Sequence, residues 1–465
     1  YSYRTNYTSF KKKSRDVNAF LQNRKIFREI EASYLQNDCD CDECSSTRLE
    51  YYNAISLEPY NKLIEKITKD LHDGTLEPSD LNADLIKQIY TDLSEGTKKT
   101  FGNKWEKLDV KEPNSLIQKF KKNLWQFSSA KTLAELEKMN SLLLDKGKIR
   151  TFDEFKKLVQ KENVNFNSNY LRAEFETAKR GSEMAWKWKD YVKNADLFPN
   201  LEYRTVGDER VRPEHATLSG VVKPITDGFW RTFYPPNGWR CRCYVVQTAA
   251  NVTPGRKDDP TVLPEFRGNV ALDEEIFTQK GSFFKLLNKD YKAKFNAELI
   301  KLNAPYDEAY KNKKGKKVMV NIFADEVDKI KNIESAMVIV DKLDVPVVYV
   351  RPHLDSNIVE GRTNPEYFIN GAVSDLKVLK EVNGITNAFK TAKNQFKDFN
   401  SHSLVFDFSN VSISKKQIID QLNNKVTKTR GKKIKELYFI KGNRACVLDR
   451  TQIINGDFKA LDGIL

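Results

Sequence analysis

At 465 residues, 31% charged and 40% hydrophobic, the chain is too long for one ordinary domain, and it has no apolar run long enough to span a membrane. Lys plus Arg, 78, exceed Asp plus Glu, 64, and the net charge of +14 suits phosphate-bearing partners without proving one. Six cysteines in so long a chain exclude a disulfide framework. They fall as CDCDEC (Cys39, Cys41, Cys44), a CRC pair (Cys241, Cys243) and Cys446, a clustering that suits a reducing compartment.

The opening YSYRTNYTSFKKKSR has no apolar core of a secretory leader and no initial Met, so a few residues are expected to precede it. In CDCDEC three acids interleave with the thiols and no His is present, which reads as an exposed loop more readily than as a soft-metal site. From about residue 15 to 198 apolar residues recur at three- and four-residue steps, predicting helices. Leu171, Phe175, Ala178, Ala185, Trp188 and Val192 would form one stripe, and Thr151 with Glu154 has the spacing of a capping box. Past Pro199 the chain becomes short, turn-rich and strand-like up to residue 247. A loop and a connecting helical segment follow, ending in the lysine-rich KNKKGKK, read as a solvated linker. Beyond it VMVNIF, AMVIVD, VPVVYV, SLVFDF, ELYFIK and ACVLDR read as strands separated by helices. The expected architecture is multidomain: a mainly α-helical N-terminal part with a small strand- and turn-rich segment, then a C-terminal mixed α/β domain.

In PPNGWRCRCYVVQ the cysteines are two apart, so on a strand Cys241 and Cys243 share one face. A disulfide at that spacing is strained, which leaves two readings. In one the thiols grip a metal, with His215 as third ligand and Asp208 or a CDCDEC cysteine as fourth. In the other they are packed thiols in a hairpin, with Arg240 and Arg242 paired to Asp208 and Glu209.

YRTVGDERVRPEHATLSG (Asp208, Arg210, Arg212, His215, Gly220) followed by FWRTFYPPNGWRCRCYVV resembles the head-morphogenesis domain of the phage Mu F-like minor head proteins. The resemblance covers roughly residues 85–247. It divides the chain into a helical region 1–84, the Mu F-like domain 85–247, a linker with connecting helix 248–315 and a C-terminal domain 316–465. Many members carry a second His before the CRC element, where this chain has Asn237. The resemblance implies a virion protein, inside the head near the portal and in the host cytoplasm during assembly. Portal protein, other head proteins and packaged DNA are its implied partners, zinc at His215, Cys241 and Cys243 is a candidate, and no membrane is involved.

In the C-terminal domain Asn370-Gly371 is a strong hairpin signal. Asp375 and Lys377 are two apart on its second strand, and Glu366 faces them across it. Two carboxylates and a lysine suit phosphodiester cleavage in two ways. The carboxylates can hold a divalent ion while Lys377 stabilises the phosphate, or a base such as His402 can deprotonate an RNA 2′-hydroxyl. A surface salt bridge is the plain alternative. NPEYFINGAVSDLK, SLVFDFS and ELYFIKGNRACVLDR resemble toxin nuclease domains of contact-dependent inhibition and the barnase–EndoU–colicin–RelE-like group. That resemblance implies an RNase, with tRNA as an expected substrate, and an immunity protein as partner. Glu366, Asp375 and Lys377 are the expected catalytic residues. Glu360, Arg362, Gln395 and His402 are secondary candidates, and His353 is read as a turn or core residue. The alternatives are a purely structural virion protein with an inactive or nucleic-acid-binding C-terminal domain, or a bacterial polymorphic toxin.

Overall fold

A computed structural model describes residues 24–34, 56–209, 211–255, 259–287, 304–353, 363–396, 399–426 and 433–465. The chain folds as two compact units, Tyr1–Gly102 with Lys119–Leu302, and Asn103–Gln118 with Asn303–Leu465.

The first unit is helical, with α1 (Arg24–Tyr34), α2 (Glu58–Asp73), α3 (Ala83–Phe101), α4 (Leu116–Ser141), α5 (Phe152–Val164) and α6 (Leu171–Lys193). Thr151 caps α5 and forms the expected box with Glu154. Helices α5 and α6 are joined by a π-helical turn, Asn165–Tyr170, rather than a loop. The α6 stripe is buried from Leu171 to Trp188, and Val192 at its end is exposed. Helix α3 packs against it closely enough that a Cβ on Gly96 would stand 3.0 Å from the Phe175 carbonyl. One ion pair lies wholly inside: Lys131 Nζ is 2.5 Å from Glu174 Oε2, both side chains fully buried. The same lysine donates to the Phe166 carbonyl at 2.7 Å, and Tyr34 Oη donates to Glu174 at 2.8 Å. After a two-residue hairpin, β1 (Leu144–Asp145) and β2 (Lys148–Ile149), the remaining strands make an antiparallel sheet. In it β3 (Asn200–Arg204) lies between β4 (Val222–Pro224) and β5 (Tyr244–Thr248).

The second unit is built on one eight-stranded sheet. Its elements in chain order are β6 (Tyr306–Lys311), β7 (Lys317–Asn321), α7 (Lys329–Lys342), β8 (Val347–Val350), β9 (Tyr367–Ile369) and β10 (Ala372–Val378). Then follow α8 (Gly384–Gln395), β11 (His402–Asp407), α9 (Lys415–Val426), β12 (Ile434–Lys441) and β13 (Arg444–Asp449). The spatial order is β13-β12-β11-β10-β9-β8-β7-β6, with β8, β9 and β10 an antiparallel meander and β10, β11 and β12 parallel. Asn370 (φ 46°) and Gly371 (φ 79°) make the expected tight turn between β9 and β10.

Alternation assigns the faces. Val318, Val320, Val348, Val350, Tyr367, Ile369 and Leu376 pack with Ile333, Ala336, Ile339 and Val340 of α7. Helix α7 also touches β12 and β13, so the sheet curls around it. The opposite face of β10–β13 is covered by α8 and α9 through Ile385, Ala392, Ile418 and Leu422.

Two expectations change. AMVIVD is part of α7 and not a strand, because its buried residues continue the three- and four-residue steps begun at Ile333. The lysine-rich KNKKGKK is not a free linker. It forms the turn of the β6–β7 hairpin, where Asn312 Oδ1 accepts from the Lys314 and Lys316 amides and Gly315 has φ 81°. Of the segment before it, read as ending in a helix, Tyr306–Lys311 is strand β6, and residues 288–303 lie outside the described residues. Residues 103–118 join this unit: the Leu108 amide donates to the Glu308 carbonyl at 3.2 Å, and Lys329 Nζ donates to Asn114 Oδ1 at 2.7 Å.

Candidate functional sites

The CRC segment is not a strand, since β5 begins only at Tyr244, yet both thiols reach the same point. His215 Nδ1 lies 3.7 Å from Cys241 Sγ and 3.6 Å from Cys243 Sγ, and the three groups are buried within 4.8 Å of one another. The short helical turn Pro213–Ala216 carries the imidazole, and the PPNG bend with its cis Pro235–Pro236 bond carries the cysteines. Contact with the Cys243 thiol, and then with His215, holds Cys241 well below the usual thiol range, while Cys241 and burial push Cys243 up. Two thiols and an imidazole facing one another are a soft donor set that suits zinc.

Asp208 does not complete the set. Its carboxylate is held by both guanidinium nitrogens of Arg242, which keeps it on the rim. Arg240 donates to the carbonyls of Tyr34 and Asn169. Asn237 Oδ1 accepts from Tyr203 Oη at 2.9 Å and its Nδ2 donates to the Tyr234 carbonyl, so it braces the bend. A Cβ on Gly238 would lie 2.8 Å from Arg212 Nη1, so a larger residue there would have to displace the guanidinium. Cys39, Cys41 and Cys44 lie outside the described residues.

In the second unit the hairpin brings the expected trio together. Residue 366 continues the β9–β10 register to a place opposite Asp375. Lys377 Nζ stands 2.5 Å from Asp375 Oδ2, and Asp375 is fully buried. Glu366 Oε2 accepts the Leu376 amide at 2.8 Å, and Gln395 Nε2 donates to Asp375 Oδ1 at 3.3 Å. Burial, and then the neighbouring Asp375, push the Glu366 carboxyl up to about 9. Two carboxylates brought side by side in a buried place favour a positive charge beside them, which Lys377 supplies in part.

His402 lies beside Val373, on the sheet face that carries Asp375. It begins β11, stacks on Phe396 with ring centroids 4.2 Å apart, and is driven down to about 4 chiefly by burial. It is therefore neutral and enclosed. Glu360 and Arg362 lie outside the described residues. His353, expected as a turn or core residue, is exposed, and its Nδ1 lies 3.3 Å from Asp325 Oδ2. Both line a cleft of about 310 Å³ that Glu366, Gln395 and Arg351 also border. Arg351 drew no attention in the sequence. Its place at the end of a strand leading into RPH was the available signal, and its Nη1 donates to the Pro365 carbonyl at 3.0 Å.

Residues 145–246 match the family described as Phage Mu protein F like protein, and residues 362–445 match the Contact-dependent growth inhibition CdiA C-terminal domain. The putative capsid assembly protein F of Escherichia phage Mu is 49% identical over 66 residues, 14% of this chain and 15% of that protein. The Mu-like prophage FluMu F protein of Haemophilus influenzae is 37% identical over 75 residues, 16% of this chain and 18% of that one. The chain thus matches less than a fifth of the length of either relative. No solved structure matches. His215, Cys241 and Cys243 lie in the Mu F-like segment, and Glu366, Asp375, Lys377 and Gln395 in the CdiA-like one.

Proposed function

We propose that this chain is a minor head protein of a tailed phage, acting in head assembly or DNA packaging near the portal, whose second unit is a nuclease that cleaves RNA. The head role rests on the Mu F-like segment and on a basic chain suited to lie beside packaged DNA. Its proposed partners are the portal protein, other head proteins and, for the nuclease, an immunity protein. At the CRC bend we propose a zinc held by His215, Cys241 and Cys243, with a structural role.

The observation that carries the nuclease reading is the Glu366–Asp375–Lys377 cluster inside the CdiA-like domain. Glu366 and Asp375 would hold a divalent cation, which when bound supplies an activated water and neutralises phosphate charge. Lys377 would donate to a non-bridging phosphate oxygen, where negative charge grows in the transition state. Gln395 keeps Asp375 oriented, and the Leu376 amide keeps Glu366 turned toward it. The metal-independent route through His402 is disfavoured, because that ring is enclosed and burial makes it a weak base.

The test is cleavage of tRNA, other RNA and DNA by the full chain with magnesium or with chelator, beside Lys377→Ala. Cleavage that needs the cation and vanishes in the variant supports the reading. A chain that cuts nothing would be a structural head protein with an inert second unit.

A further inference from the structure

Among the described residues, the helices of the second unit leave one half of a sheet face open. On β7, β8 and β9 the residues that alternate with the α7-facing set are Met319, Tyr349 and Phe368, which are direct cross-strand neighbours. Tyr306 lies on the same side of β6, opposite Asn321. The rings form a row: Tyr306 and Tyr349 meet edge to face at 5.4 Å, and Tyr349 and Phe368 lie 6.4 Å apart. Tyr349 is 36% exposed and Phe368 40%, an unusual display for a strand pair at the middle of a sheet.

This row ends at the candidate active site. Phe368 is two residues from Glu366 on the same face of β9, roughly 7 Å along the strand. Asp375 and Lys377 share that face on β10. Arg351, also on that face, lies near the Tyr306 ring and 5.5 Å over the Phe399 ring. Aromatic faces one strand apart, with a guanidinium beside them and a phosphate-handling cluster at one end, match the stacking surfaces that hold unpaired bases.

We propose that the outer face of β6–β9 is a stacking platform for a single-stranded nucleic acid, with Tyr349 and Phe368 each taking a base and feeding the backbone toward Lys377. This rests on the nuclease reading and narrows its substrate to unpaired strands, since a duplex conceals its base faces.

The experiment measures fluorescence anisotropy of the full chain, in the Lys377→Ala background, with labelled single-stranded RNA, single-stranded DNA, a blunt duplex and a DNA strand carrying four abasic positions. Moderate salt suppresses the general attraction of the basic chain. Tyr349→Ala and Phe368→Ala are each expected to weaken single-strand binding about five- to a hundredfold, with the duplex and abasic strands binding no better than those variants. Phe368→Leu keeps the apolar bulk and β-propensity, and it should weaken binding as well. Unchanged far-ultraviolet circular dichroism verifies folding. Equal affinity for intact and abasic strands, or ring variants that bind as well as their parent, would overturn the platform even if the wild-type chain cleaves RNA. Single-strand binding lost in the ring variants, from a wild-type chain that cleaves nothing, would keep the platform and remove the nuclease. Failure to bind any nucleic acid would overturn the platform and leave this face to a protein partner.

Discussion

Replacing Lys131 by Met strands a carboxylate inside the helical unit. Lys131 and Glu174 are both fully buried, and without the ammonium Glu174 keeps only the Tyr34 hydroxyl. Burial already raises the Glu174 carboxyl, and removing its cation raises it further. Breaking such a pair from one side costs about 3–5 kcal/mol. The sign of the pH dependence follows from the direction of the shift. A carboxyl raised in the folded state contributes stability fully below the ordinary carboxyl range and loses it as pH climbs toward its folded value. Each unit of pH in that window is worth about 1.4 kcal/mol. The variant's deficit should therefore be smaller at pH 5 than at pH 8, where it reaches about 3–5 kcal/mol. Glu135, pushed up to about 8 mainly by burial and held down in part by the same lysine, steepens the trend. Urea unfolding of the full chain by tryptophan fluorescence, with Trp105 of the second unit replaced by Phe, reads this unit, where Trp125, Trp186, Trp188, Trp230 and Trp239 all lie. Adding Glu174→Gln should restore most of the loss. A deficit below 1 kcal/mol, or one equal at both pH values, would show that the pair does not carry the core as argued.

Asp375→Asn should lower RNA cleavage by a hundredfold or more, whereas His402→Phe should leave it within a few-fold; initial rates with magnesium separate the two. Zinc content of the purified chain should fall on Cys241→Ser or Cys243→Ser, and cobalt substitution should give thiolate charge-transfer absorption in the wild type alone. Gly371→Ala, at φ 79°, should destabilise the second unit by about 1 kcal/mol in thermal unfolding while Asn370→Gly stays near neutral.

Local chemistry made part of this structure legible. The Asn370-Gly371 turn fixes the β9–β10 register, and the register alone brings Glu366, Asp375 and Lys377 together. His215 and the CRC pair were legible as donors by residue type, although a strand was the wrong vehicle for them. What escaped depends on tertiary burial. AMVIVD is apolar enough to suit a strand or an enclosed helix, and only the curling of the sheet around it decides. The enclosure of His402 is of this kind too: β11 is buried along its whole length, and the ring is buried with it. Arg351, His353 and Asp325 converge only because the ends of β7 and β8 open on one cleft. No spacing along the chain announces that.

Residues 103–118 give the second unit a discontinuous sequence: sixteen residues enter it, the chain returns to the helical unit at Lys119, and it comes back after Leu302. A single protease cut between the units would therefore yield two polypeptides that still share a fold, one contributing a strap to the other's sheet. Freeing the toxin-like part would take the withdrawal of that strap, including the Leu108–Glu308 and Asn114–Lys329 contacts, as well as a broken peptide bond. After such a cut, release would be set by the rate at which the strap locally unfolds, and force or a competing partner would speed it.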